Sequence, residues 1–111
     1  MRNKVANNNL VNLECSAANV YTLPVVSSYM KFKIANTDAN AKTITLTNVG
    51  SLDTEIALRF NMKIVAVLTF DSKITWKDSV APSMSLGKVY YIYLVSNDGG
   101  LSYQGTWTGS W

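Results

Sequence analysis

The chain predicts an all-β fold, a single antiparallel β-sandwich or jelly-roll-like barrel of about eight strands, and three observations carry that expectation. Short segments alternate apolar and polar side chains with a period of two, as half-buried strands do. Turn-forming clusters separate them roughly every 7–12 residues. No apolar spacing of helical period extends over any length, and no internal repeat stands out beyond the strand spacing.

Taken in order, residues 1–9 are polar and Asn-rich without periodicity, and are expected to form an N-terminal arm ahead of a single β domain over 10–111. Leu13 and Cys15 alternate with Asn12 and Glu14 in a first half-buried strand from Leu10 to Ser16, and Ala17, Ala18 and Asn19 break it. A second run, Val20 to Leu23, ends at Pro24, which lacks an N–H and belongs at a strand end or sheet edge. Tyr29 to Ala35 alternates most cleanly, with Met30, Phe32 and Ile34 inward and Lys31 and Lys33 outward. Asn36 to Asn40 is a turn cluster, because Asn and Asp hydrogen-bond their own backbone. Lys42 to Asn48 places Ile44 and Leu46 on one face and Thr43, Thr45 and Thr47 on the other, a β-branched row suited to solvent or to packing on another subunit. Val49, Gly50 and Ser51 turn the chain. Beyond Glu55 a strand reading fits best, with Ile56, Leu58 and Phe60 on one face. Asn61 to Phe70 is nearly continuous apolar chain, expected as a central strand buried on both faces.

The remainder is organised around residues 69–100. Ile74 and Trp76 share one face of a short extended segment, Pro82 stops it, and Gly87 and Lys88 open the most aromatic run of the chain, Val89 to Val95. That run closes on Asn97, Asp98, Gly99 and Gly100, whose glycines accept positive φ at low cost and can reverse the strand. Leu101, Tyr103, Trp107 and Trp111 then lie among Gly, Ser and Thr, as in a last strand or an aromatic tail. Trp76, Ala81-Pro82, Gly87-Lys88, Asp98-Gly99-Gly100 and Tyr103 together resemble a module of small virion structural proteins of tailed bacteriophages, found in tail fibres and head appendages. The resemblance covers roughly the last 40 residues of the chain. Two departures stand out: Ser79 and Val80 replace a glycine before Ala-Pro, and Tyr103 stands where Trp is common.

Composition narrows the functions. Hydrophobic residues are 48% and charged residues 15%, so much of the surface falls to Asn, Ser and Thr. At this length about 65% of the unfolded chain's surface can be buried, enough for one core. The net charge is +3, with cations scattered from Arg2 to Lys88, and no basic stripe points to nucleic acid. The start lacks the apolar core of a signal peptide, and no run reaches the ~20 residues that span a bilayer, so no membrane insertion is expected. Cys15 cannot pair within the chain and reads as a small packed side chain.

Catalytic chemistry finds little purchase. The chain has no His, the commonest base and metal ligand, and a single Cys cannot form a thiolate zinc site. Asp71, Asp78 and Asp98 sit in turn contexts, and Asp71 with Asp78 is the one pair near a shared corner that calcium could use. No catalytic residue, metal site or cofactor is assigned. Aromatic residues of the last third are the remaining resource, with Tyr91 and Tyr93 on one face and Tyr90 on the other. Tyr103, Trp107 and Trp111 are the candidates for an interface or for stacking on glycan rings, because interfaces favour Tyr and Trp.

The resemblance implies a non-enzymatic virion structural protein, a head decoration, head fibre or tail appendage, made in the host cytoplasm and in contact with other virion proteins. The alternative is a carbohydrate-binding adhesin module recognising host surface glycans. With few charges to guard its edge strands, the chain is expected to form a homo-oligomer, and the analogy with phage appendages favours a trimer.

Overall fold

The computed structural model describes residues 10–82 and 88–110. The expected arm at 1–9, Gly87 and Trp111 lie outside the described residues. The described residues form nine strands: β1 (Leu10–Leu13), β2 (Val20–Val25), β3 (Tyr29–Asn36), β4 (Lys42–Asn48), β5 (Thr54–Met62), β6 (Leu68–Phe70), β7 (Ile74–Trp76), β8 (Val89–Ser96) and β9 (Tyr103–Ser110). A 3-10 turn, Lys77–Ser79, follows β7.

The all-β expectation is met, but the antiparallel one is not. Strands β1 to β6 alternate between two sheets, so that each successive pair makes one coil of a solenoid-like stack. One sheet has six strands in the order β1-β3-β5-β8-β9-β7, and the other has three in the order β2-β4-β6. Pairing is parallel from β1 to β3 to β5 and from β2 to β4 to β6. Among the described residues only β5 with β8 and β8 with β9 run antiparallel, and β7 joins β9 in parallel. Parallel neighbours need a crossover of about a dozen residues or more, and between β1 and β6 each crossover is a strand of the opposite sheet with its two corners. Alternation of side chains is the same in parallel and antiparallel strands, which is why the period could not distinguish them.

The inner faces of the two sheets make the core. Leu23 and Val25 of β2, Ile44 and Leu46 of β4, Phe32 and Ile34 of β3, and Ile56, Leu58 and Phe60 of β5 are all buried. Corners stack as well as strands: Thr43 N–H donates to Asn19 carbonyl at 3.1 Å, and Glu55 N–H to Ser28 carbonyl at 2.9 Å.

The stretch Asn61 to Phe70 is not one central strand. β5 ends at Met62 and the chain turns out before β6, leaving Val67 72% exposed. Asn36 makes that corner. Its side-chain amide donates to the carbonyls of Asp38 at 2.8 Å and Ile64 at 2.7 Å, and its side-chain oxygen accepts from Tyr21 hydroxyl at 2.9 Å. A fully buried amide with these bonds holds the exit of two coils and overrides the strand propensity of Ile64, Val65 and Val67.

The β8–β9 hairpin extends the six-stranded sheet past the third coil. Gly99 and Gly100 have φ of +72° and +87° and carry the reversal. On β9, Gly105 lies under the Trp76 ring and Gly109 under the Tyr90 ring, where an added Cβ would come within 2.8 and 2.5 Å of ring atoms. Aromatic cover of strand glycines in register fixes both pairs.

Candidate functional site

Period two decides which side chains leave the core, and register decides which of them meet. On the outer face of the six-stranded sheet, Lys31 of β3 stands beside Ala57 of β5, followed by Tyr93 of β8 and Thr106 of β9. One pair further along, Lys33, Arg59, Tyr91 and Thr108 form a second row across the same four strands. Their inward neighbours Phe32, Leu58 and Ile92 are buried, so the outer rows are rigidly placed.

The small side chain of Ala57 leaves a depression between these rows. A shallow basin of about 550 Å³ crosses the sheet from Leu10 to Thr108, bordered by Lys31, Lys33 and Arg59 on one flank and Tyr91 and Tyr93 on the other. Tyr91 is 45% exposed and Tyr93 41%. Tyr93 hydroxyl donates to the Glu55 carboxylate, and that bond pushes the phenol above its ordinary pKa. The Lys31 ammonium lies 6.0 Å from the Tyr29 ring centroid. Lys33 and Arg59 also border a second, more polar depression of about 620 Å³ near Cys15 and Asp38, so the two cations straddle both.

Other ionisable groups are engaged in the fold. Buried Lys42 donates to the Asp38 carboxylate and, at 2.7 Å, to the Asn40 carbonyl, and this ion pair holds Asp38 below the usual carboxylate range. Asp98 accepts from Ser102 hydroxyl and backbone and from Ser96 hydroxyl, which lowers its pKa. Asp71 accepts backbone N–H groups from Leu46 and Lys73, one on each oxygen. Its carboxylate is thus a corner brace, and among the described residues no cluster of three metal-ligating side chains forms. Burial raises the Cys15 thiol pKa, the opposite of activation. Burial also pushes Tyr21 up to about 12. No described helix is long and apolar enough to cross a membrane.

The residues singled out from the sequence are mostly internal. Tyr103 is 1% exposed and its hydroxyl accepts from Asn48 at 3.3 Å, which corrects its assignment as a surface contact. Its inward place follows from the alternation Tyr103, Gly105, Trp107 along β9. Trp107 is half-buried against the core; its indole N–H donates to the Val80 carbonyl at 3.0 Å and its ring lies 6.2 Å from that of Tyr90. Trp76 packs edge-on to Phe70 at 5.2 Å. Pro82 lies in the connection after the 3-10 turn, and Asp98, Gly99 and Gly100 form the hairpin turn. None of these lines the basin except Trp107. Lys31 and Lys33 were legible as outward and Tyr91 with Tyr93 as sharing a face, but only the register brings them together with Arg59.

A second outer face is chemically plainer. On the three-stranded sheet, Thr22 sits beside Thr45, with hydroxyls 3.4 Å apart, and Thr43 beside Thr69.

The chain matches no protein-family model, no curated protein and no solved structure.

Proposed function

We propose that the protein is a non-enzymatic structural module of a bacteriophage particle that works through its outer sheet faces. The observation that carries this reading is the basin face, where two exposed tyrosines and three cations lie in ordered rows across a rigid sheet. Rings, cationic stems and hydroxyls on such a scaffold suit recognition, since interfaces are rich in Tyr and Arg. The virion setting rests on the resemblance at Trp76, Ala81-Pro82, Gly87-Lys88, Asp98-Gly99-Gly100 and Tyr103 and on the sparse charge. In this reading the partners are other virion proteins and further copies of the chain, a trimer being favoured, with the outer edges of the end strands β1 and β2 covered on assembly. Copurification with intact particles, or density for the chain in a particle reconstruction, tests it; a protein recovered only free in the host cell refutes it. Deleting residues 1–9 and following mass by light scattering tests the oligomer. Truncation at 107 cannot, because Trp107 belongs to β9, between β8 and β7.

The exposed pair Tyr91 and Tyr93 favours a second reading, a saccharide-binding module that recognises host surface glycans. Binding on a glycan array that is lost in Tyr91→Ala supports it, and an array with no binding refutes it.

A further inference from the structure

We infer that the basin on the six-stranded sheet binds an acidic saccharide, a chain of sugar rings bearing carboxylates. This rests on the saccharide-binding reading and adds the chemical class. Three features of the basin point the same way. Its rim carries Lys31, Lys33 and Arg59, and among the described residues no Asp or Glu lines it. Glu55, the acid nearest in register, accepts the Tyr93 hydroxyl. Neither Lys33 nor Arg59 has a carboxylate partner among the described residues, whose one salt bridge is Lys42 with Asp38. In the adjoining depression Glu14 and Asp38 are opposed by Lys33, Arg59 and Lys63, and Asp38 is already held by Lys42.

Half-buried Arg59 is therefore a fork of donors with no carboxylate partner among the described residues, and its planar geometry matches a carboxylate. The basin crosses β1, β3, β5, β8 and β9, four strand spacings or about 19 Å, so it suits a chain of several rings. Tyr91 and Tyr93 present apolar ring surface to the C–H faces of sugars, and Thr106 and Thr108 add hydroxyls that donate and accept.

The test uses the full chain and titrates oligomers of galacturonate and of sialic acid, their carboxyl-reduced neutral forms, and oligo-dT of equal charge, by calorimetry at low salt. The expected result is binding of an acidic oligomer, at least about tenfold tighter than its reduced form or oligo-dT. Arg59→Gln and Lys33→Gln should each weaken it about tenfold, the scale of one charge-assisted hydrogen bond, while the thermal midpoint stays unchanged. Added salt should weaken it further. Equal binding of the reduced form overturns the acidic assignment and leaves the saccharide reading standing. No binding of any saccharide overturns both. Oligo-dT bound as tightly as the acidic sugars overturns the inference in favour of an unspecific polyanion surface.

Discussion

The parallel coils and the C-terminal hairpin solve the same problem, reversing a buried strand, by opposite means. In the coils the chain must leave one sheet and enter the other, so backbone groups at the corners need partners outside the strand ladders. Asn36 and Asn48 supply them: Asn36 binds Asp38, Ile64 and Tyr21, and Asn48 binds Leu52 through both amide atoms and reaches Tyr103. The hairpin reverses locally, where Gly99 and Gly100 take positive φ and Asp98 ties Ser96 to Ser102 at the surface. These two coil corners thus rest chiefly on side-chain amides, whereas the hairpin rests on two successive glycines at positive φ with Asp98 bracing the turn. Substitutions should separate the two.

The largest effect is expected at Asn36→Leu, which strands the Tyr21 hydroxyl and the Asp38 and Ile64 carbonyls. Urea unfolding should show a loss of about 3–5 kcal/mol. Next comes Gly100→Ala. Beyond its positive φ, a Cβ there would lie 2.3 Å from the Asn48 amide nitrogen, so strain and overlap add to about 2–4 kcal/mol. Gly50→Ala is the control: its φ is +88° but nothing lies within 4 Å, and about 1 kcal/mol should be lost. The double variant Gly99→Val with Gly100→Val should cost more than Gly100→Ala alone, since both positions are crowded and at positive φ. An unchanged melting temperature for it would mean that the reversal does not depend on these conformations.

pH probes the corners in solution. Tyr21 and Tyr103 titrate above their unfolded value of about 10 because burial disfavours the phenolate. Native pKa values above unfolded ones mean that the unfolded chain releases protons first, so stability present below pH 10 should fall as pH rises toward 12. Asp38 and Asp98 are shifted down, so their contribution is present above the unfolded carboxylate pKa and is lost as pH falls below it. Thermal melts followed by circular dichroism from pH 2 to 11 should trace that dome, and Tyr21→Phe should flatten its alkaline side. The smallest effect is expected on the outer faces. Thr45→Val should stay within about 0.5 kcal/mol in stability, and Tyr91→Ala is read by ligand binding.

Most strand positions were legible, because alternation at Tyr29 to Ala35, Lys42 to Asn48 and Val89 to Val95 is set by one buried face. The failure at Asn61 to Phe70 has the same origin. Apolar β-branched residues were read as buried, yet the Asn36 amide draws Ile64 to a corner and leaves Val67 in water. The site was legible only in pieces. Tyr91 and Tyr93 could be placed opposite Tyr90, but Trp107 and Tyr103 drew attention as large aromatics although β9 turns both inward.

What the amino-acid sequence determined by itself was local: β structure, the inward and outward sets of each strand, the glycine reversal at 99–100 and the absence of His-dependent chemistry. Strand direction and partner were decided only in the folded chain. A period of two is blind to whether the neighbour runs parallel or antiparallel, and the crossovers through the second sheet bring Lys33, Arg59 and Tyr91 into one row from three separate strands.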